Sequence, residues 1–167
     1  MFAGIIGRFQ PPHIIHLELI QRMKDDGFIP IVLLGSADIT GTEKDPYSTR
    51  QRTEMLRMEF PGLDTEPLND YNNWDAWLCD ILNILEIYEA TTLYTFNKPE
   101  DVYKYFYCNG KHYHNSYFSE ALSDAGIVIV NVIESSHPEI HARDIRSDLE
   151  GNKIKLTPEI YKYVKEH

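Results

Sequence analysis

Two short apolar runs, each closed by glycine, frame the start of this chain: Phe2-Ala-Gly-Ile-Ile-Gly7 and Pro30-Ile-Val-Leu-Leu-Gly35. Runs of this length and composition read as strands buried on both faces. Between them, Pro11 and Pro12 break the chain, and Ile15, Leu17, Leu19, Ile20 and Met23 recur at helical spacing among polar residues. The helical pattern stops at Asp25-Asp26-Gly27, where glycine suits the left-handed position that ends a helix. Strand, helix and strand within about 35 residues make a βαβ unit, whose parallel pairing and right-handed crossover are close to obligatory. That unit excludes all-β and all-α folds for the N-terminal part.

The alternation continues to the end. Ser36 to Tyr47 is a polar loop, and Ser48 starts a helix running to about Glu59, with Gln51 at the capping-box position. Trp74 to Tyr88 is a helix whose Trp77, Leu78, Ile81, Leu82 and Leu85 share a face. Thr91 to Phe96 and Gly126 to Val132 read as strands. Ala142 to Leu149 and Thr157 to Lys165 read as closing helices, the second with Pro158 at its first position. No repeat or linker divides the 167 residues, so residues 1–167 are expected to form one α/β domain built on a doubly wound parallel sheet.

Charge narrows the class of ligand. The chain carries 26 Asp+Glu against 16 Lys+Arg, a net charge of −10, which disfavours nucleic acid and anionic membranes as partners. No apolar run approaches the ~18–20 residues of a membrane span, and no signal segment is visible at the N-terminus. The two cysteines, Cys79 and Cys108, stand far apart and are expected as free thiols in a cytoplasmic protein.

In a doubly wound sheet, ligands bind beyond the carboxyl ends of the strands. The richest such segment is Gly7-Arg-Phe-Gln-Pro-Pro-His-Ile-Ile-His16, between the first strand and its helix. Its backbone N–H groups and the helix dipole favour an anion, and His13 and His16, three apart, lie on one side of the opening turn. With Arg8, these groups suit a polyphosphate. A metal-binding histidine pair and a buried core histidine remain alternatives on spacing alone.

At this point the sequence resembles a known family. Gly7-Arg8-Phe9-Gln10-Pro11 through His13 and His16 resembles the (H/T)xGH motif of the nucleotidyltransferase superfamily. Its GRFQPxH form is typical of archaeal-type nicotinamide-nucleotide adenylyltransferases, including the adenylyltransferase half of enzymes fused to a Nudix hydrolase. Four further segments resemble that family in order. Gly35-Ser36-Ala37 with Asp45-Pro46-Tyr47-Ser48 and Arg52 is similar to its GSA…NPFT…ER block. Asp70-Tyr-Asn-Asn-Trp-Asp-Ala-Trp77 is similar to its D-x-N…W segment, and Tyr94-Thr-Phe-Asn97 to its strand-end YTGN. Ile140-His-Ala-Arg-Asp-Ile-Arg146 stands where the family has ISxTxIR.

The resemblance implies a Rossmann-like nucleotidyltransferase fold and transfer of AMP from ATP to nicotinamide mononucleotide, giving NAD and pyrophosphate. It implies in-line attack on the α-phosphorus with no covalent enzyme intermediate, so the working groups are donors and cations. His13, His16 and Arg146 are the implied catalytic groups. Gly7, Arg8, Phe9, Arg52, Lys111 and Arg143 are implied on the phosphate side, and Ser36, Asp70, Trp77 and Asn97 on the nicotinamide side, with Trp74 an alternative stacking residue. Mg²⁺ is expected to arrive with ATP, without a dedicated protein cage. With no Nudix domain following, a stand-alone transferase is expected.

Two departures stand out. Ile15 occupies the position of the family's glycine, where a branched side chain crowds the approach to the helix backbone. His141 and Arg143 replace the usual Ser and Thr of the closing motif. An acceptor other than nicotinamide mononucleotide, or a nucleotide-binding protein without turnover, are the competing readings. The aromatic tract from Tyr103 to Phe118 is expected as a loop-and-helix cover, with some tyrosines serving a homo-oligomer interface.

Overall fold

The computed structural model describes residues 1–70, 73–96, 105–108, 111–114, 118–132 and 140–167. In chain order the elements are β1 (Phe2–Gly7), α1 (Ile14–Asp25), β2 (Ile29–Leu34), α2 (Thr49–Glu59), β3 (Asp64–Pro67), α3 (Trp74–Ile87) and β4 (Thr92–Phe96). Then follow β5 (Tyr105–Cys108), β6 (Lys111–His114), α4 (Phe118–Asp124), β7 (Val128–Val132), α5 (Ala142–Ser147) and α6 (Pro158–Glu166). Strands β3-β2-β1-β4-β7 form one sheet in that order, and every neighbouring pair is parallel. Strand order reverses between β1 and β4. A ligand crevice is therefore expected beyond the carboxyl ends of these two strands.

The continuous apolar runs of β1 and β2 are explained by burial on both faces. Val32 and Leu34 enter one core layer with Ile20 and Met23 of α1, Met55 and Leu56 of α2 and Ile160 of α6. Ile31 and Leu33 enter the opposite layer with Leu78, Ile81 and Leu85 of α3 and Leu122 of α4. Helix ends follow local chemistry. Ser48 Oγ accepts the Gln51 N–H while Gln51 Oε1 accepts the Ser48 N–H, the expected capping box. Gly27 takes φ +92° beyond α1, a conformation that costs other residues strain. No helix among the described residues is long and apolar enough to cross a membrane.

Three features differ from the sequence reading. Asp64–Pro67 forms the edge strand β3, which its short polar sequence did not announce. Within the aromatic tract, β5 and β6 form an antiparallel hairpin with Cys108 opposite Lys111, instead of a loop-and-helix cover. The overlooked signal is the Asn109-Gly110 pair, favoured in two-residue hairpin connections. Cys79 is disulfide-bonded, which corrects the expectation of free thiols. Helix α3, which carries it, packs against β5, a contact that separation along the chain conceals.

Candidate active site

The turn after β1 is shaped by a residue that faces inward. Phe9 takes φ +53° and buries its ring almost completely. A Cβ at position 7 would come within 2.7 Å of that ring, so only glycine fits beside it. The next residue, Gln10, is also buried and binds both backbone groups of Tyr47. Its Nε2 donates to the Tyr47 carbonyl at 2.9 Å, and its Oε1 accepts the Tyr47 N–H at 3.0 Å. This two-point clip fastens the first turn to the loop preceding α2.

Arginines complete the fastening. Arg8 donates to Asp45 Oδ1 through Nε at 3.0 Å and Nη2 at 2.6 Å, and Nη2 also reaches the Lys44 carbonyl at 2.9 Å. Arg52 is wholly buried, and its Nη1 donates to the carbonyls of Arg8 and Gly35 at 2.7 Å each. Burial lowers its pKa to about 10, against the opposing pull of Asp45. Arg52 and Phe9 thus differ from the phosphate contacts expected of them. Arg52 braces the ends of β1 and β2 from inside, and Phe9 underlies the turn.

His13 is the N-cap of α1, and its backbone N–H donates to His16 Nδ1 at 3.2 Å. The two imidazoles stack with centroids 3.7 Å apart, and the Phe9 ring lies 4.4 Å from that of His16, tilted by 49° to it. His13 is buried, and its pKa falls to about 4, first through desolvation and then through the positive charges of His141 and Lys155. It is a neutral ring at neutral pH. Its Nδ1 is buried without a hydrogen-bond partner, so a polar atom stands unsatisfied beside the head of the helix.

From the other end of the domain, Arg146 on α5 sends Nη1 to the Gln10 carbonyl at 2.7 Å. Burial and the nearby Arg8 charge depress its pKa. Between the first turn, the 43–47 loop and α5 lies an open cleft of about 950 Å³. Four of the chain's 16 Lys and Arg residues line it, namely Arg8, Lys44, Arg143 and Arg146, and Glu43 is the sole acid among its lining residues. On a chain with ten more acids than bases this is a local reversal of sign, suited to an anionic ligand. His141 adds a titratable ring to the same wall, while His13 and His16 are not among the lining residues.

A second cluster sits beyond β2 and β3. Ser36, at φ +50°, donates from Oγ to both Asp70 carboxylate oxygens at 3.1 and 2.9 Å. The Asp70 N–H donates to Asp38 Oδ1 at 3.0 Å. Trp77 is half-buried on α3 and packs against the core layer of that face. Arg143 is largely exposed, with Asp144 Oδ1 3.8 Å away. Asn97 and the side chains of Lys111 and Trp74 lie outside the described residues. Gln10, Asp45 and Lys155 were not singled out from sequence. Gln10 and Asp45 sat in plain view inside the motif segments, but only folding reveals their partners.

Against this geometry stand the likenesses to known proteins. A family model described as cytidylyltransferase-like matches residues 5–147. A nicotinamide-nucleotide adenylyltransferase of Caldivirga maquilingensis is 35% identical over 105 residues, which are 58% of this chain and 58% of that protein. A bifunctional NMN adenylyltransferase/ADP ribose pyrophosphatase from Francisella tularensis superposes with a TM-score of 0.71 at 22% identity, covering 99% of this chain and 49% of that one. A second structure of that Francisella protein, complexed with AMP and a manganese ion, gives 0.70 at 20% identity, covering 99% and 48%. Both structural likenesses bear on the fold, and this chain spans about half of the solved chains.

Proposed function

The chain belongs to the cytidylyltransferase-like family, and from that footing we propose that it is a nicotinamide-nucleotide adenylyltransferase. In this reading an oxygen of the nicotinamide mononucleotide phosphate attacks the α-phosphorus of ATP. A bond forms to that phosphorus, the bond to the bridging oxygen breaks, and its electron pair leaves with pyrophosphate. The observation that carries the reading is the Arg146–Gln10 hydrogen bond, which closes α5 onto the first turn beside the cationic cleft. The adenylyltransferase relatives support the choice of nucleotide and acceptor.

Each residue then has a physical task. The amides at the head of α1 and the His16 ring donate toward the reacting phosphate, while Arg146 and Arg8 hold the distal phosphates and the leaving pyrophosphate. Ser36 and Asp70, already joined, offer polar contacts to the mononucleotide, and Trp77 an aromatic face for its cationic ring. Among the described residues no group of His, Cys, Asp and Glu is arranged to hold a metal ion. This cation-rich cleft fits Mg²⁺ carried in on the triphosphate, so that MgATP is the substrate.

Incubation with Mg²⁺, a panel of nucleoside triphosphates and several phosphorylated acceptors, following pyrophosphate, tests it. ATP with nicotinamide mononucleotide is expected to give the fastest release. Turnover confined to another pair would reassign the acceptor, and ATP binding without turnover would make this a nucleotide-binding protein.

A further inference from the structure

Gln10 holds both backbone polar groups of Tyr47 through its side chain, while its own carbonyl accepts Arg146 Nη1. The residue after Tyr47 is Ser48, fixed in turn by its capping box with Gln51. The backbone on either side of this tyrosine is thus set before any ligand arrives. Tyr47 is 8% exposed, yet it lines the cationic cleft together with Arg8, Lys44 and Arg146. Of the three buried tyrosines among the described residues, Tyr94 and Tyr163 donate their hydroxyls to the carboxylates of Asp26 and Glu54. The Tyr47 hydroxyl bonds to no described residue, and it is not one of the polar atoms sealed away without a partner. It therefore opens onto the cleft. Burial raises its pKa and the nearby Arg146 charge opposes the rise, so the group is a neutral phenol at neutral pH. The Asn-Pro-Phe-Thr motif that this segment resembles has phenylalanine at the same place, so Tyr47 differs from it by this one hydroxyl.

We propose that the Tyr47 hydroxyl is a further phosphate-binding group, donating to a non-bridging oxygen of the distal two phosphates beside Arg146. The proposal rests on the reading of this cleft as a triphosphate site. A phenol can donate one short hydrogen bond to a charged oxygen while adding no charge to the wall. Because Gln10 fastens both Tyr47 and Arg146, the neutral donor and the guanidinium are held on one frame and meet the same anion. ATP and the leaving pyrophosphate both present such oxygens, so the hydroxyl acts on the binding of these two and not on that of the acceptor.

Tyr47→Phe tests this, because it removes the hydroxyl and keeps the ring, and the Gln10 clip uses only backbone atoms of residue 47. Titration calorimetry with inorganic tripolyphosphate and with pyrophosphate, in the presence of Mg²⁺, needs no turnover. The wild-type protein is expected to bind both anions, and Tyr47→Phe to bind them about tenfold more weakly with an unchanged Tm. Variant affinities within about twofold of wild type, or a wild-type protein that binds neither anion, would overturn the proposal. If ATP and nicotinamide mononucleotide are turned over, the variant should raise the KM for ATP and the Ki for pyrophosphate by about the same tenfold. The KM for nicotinamide mononucleotide should stay within about twofold, and an equal rise there would contradict a role confined to the distal phosphates. Weakened anion binding in a protein without that turnover would keep Tyr47 in an anion site and overturn the adenylyltransferase reading instead.

Discussion

Arg146 and Gln10 are 136 positions apart in the chain, yet Arg146 Nη1 donates to the Gln10 carbonyl at 2.7 Å. Gln10 is itself clipped to Tyr47, so one residue ties the first strand's turn to both the loop before α2 and the closing helix. Arg146 also lines the cleft with Arg8 and Lys44. Arg146→Ala should lower turnover by about 10²–10³, the scale for removing one group that stabilises transition-state charge. Arg146→Lys should recover only part of it, because an ammonium cannot hold the Gln10 carbonyl and a phosphate in one plane. Initial rates of pyrophosphate release measure both.

Arg52 makes a contrasting prediction. Its guanidinium is sealed inside and satisfies the carbonyls of Arg8 and Gly35. Arg52→Ala would leave two buried acceptors without donors and a cavity beside them. Each orphaned acceptor costs about 1–3 kcal/mol, so a loss of about 3–5 kcal/mol is expected. At about 2–4 °C per kcal/mol for a domain of this size, Tm should fall by roughly 6–20 °C. Thermal unfolding checks this without any substrate.

His13 should make stability depend on pH in a defined direction. Burial and the charges of His141 and Lys155 hold its pKa at about 4 in the folded state, against 6.5 ordinarily. As pH falls, the unfolded chain takes up this proton first. The contribution is therefore complete above about pH 6.5 and is lost progressively down to pH 4, to the extent of about 3 kcal/mol. His13→Asn keeps a good N-cap without the titration, so its stability should fall less over that interval. Urea unfolding at pH 7 and at pH 4.5 gives the comparison.

Much of this architecture was legible because it rests on local patterns. The apolar runs of β1 and β2, the Ser48–Gln51 box and Pro158 at the start of α6 each state their structure within a few residues. The parallel sheet follows from their alternation. What was hidden depends on contacts between distant segments. Arg52 looks like any helical arginine in sequence, and only the convergence of two strand ends on α2 makes it an internal brace. Phe9 sits in a motif between charged and polar neighbours, and its inward turn follows from φ +53° over Gly7. The disulfide at Cys79 is invisible for the same reason, since nothing local reports that α3 and β5 touch.

Ile15 is the second residue of α1 and half-buried, beside the N-terminal amides assigned to the phosphate. Ile15→Gly should leave turnover intact or raise it by opening that approach, while costing about 1 kcal/mol of helix stability. Steady-state kinetics alongside thermal unfolding separate the two effects. A collapse of activity in a folded variant would make the isoleucine a required packing element.

In the proposed reaction the first turn and α5 jointly hold ATP while its adenylyl group passes to nicotinamide mononucleotide. Incubating the protein with ATP labelled at the α-phosphorus and unlabelled nicotinamide mononucleotide, then resolving the products, tests it most directly. Labelled NAD and unlabelled pyrophosphate are expected in equal amounts, with both greatly reduced in the His16→Ala, Arg146→Ala double variant. Absence of labelled NAD, or a yield the double variant matches, would contradict it.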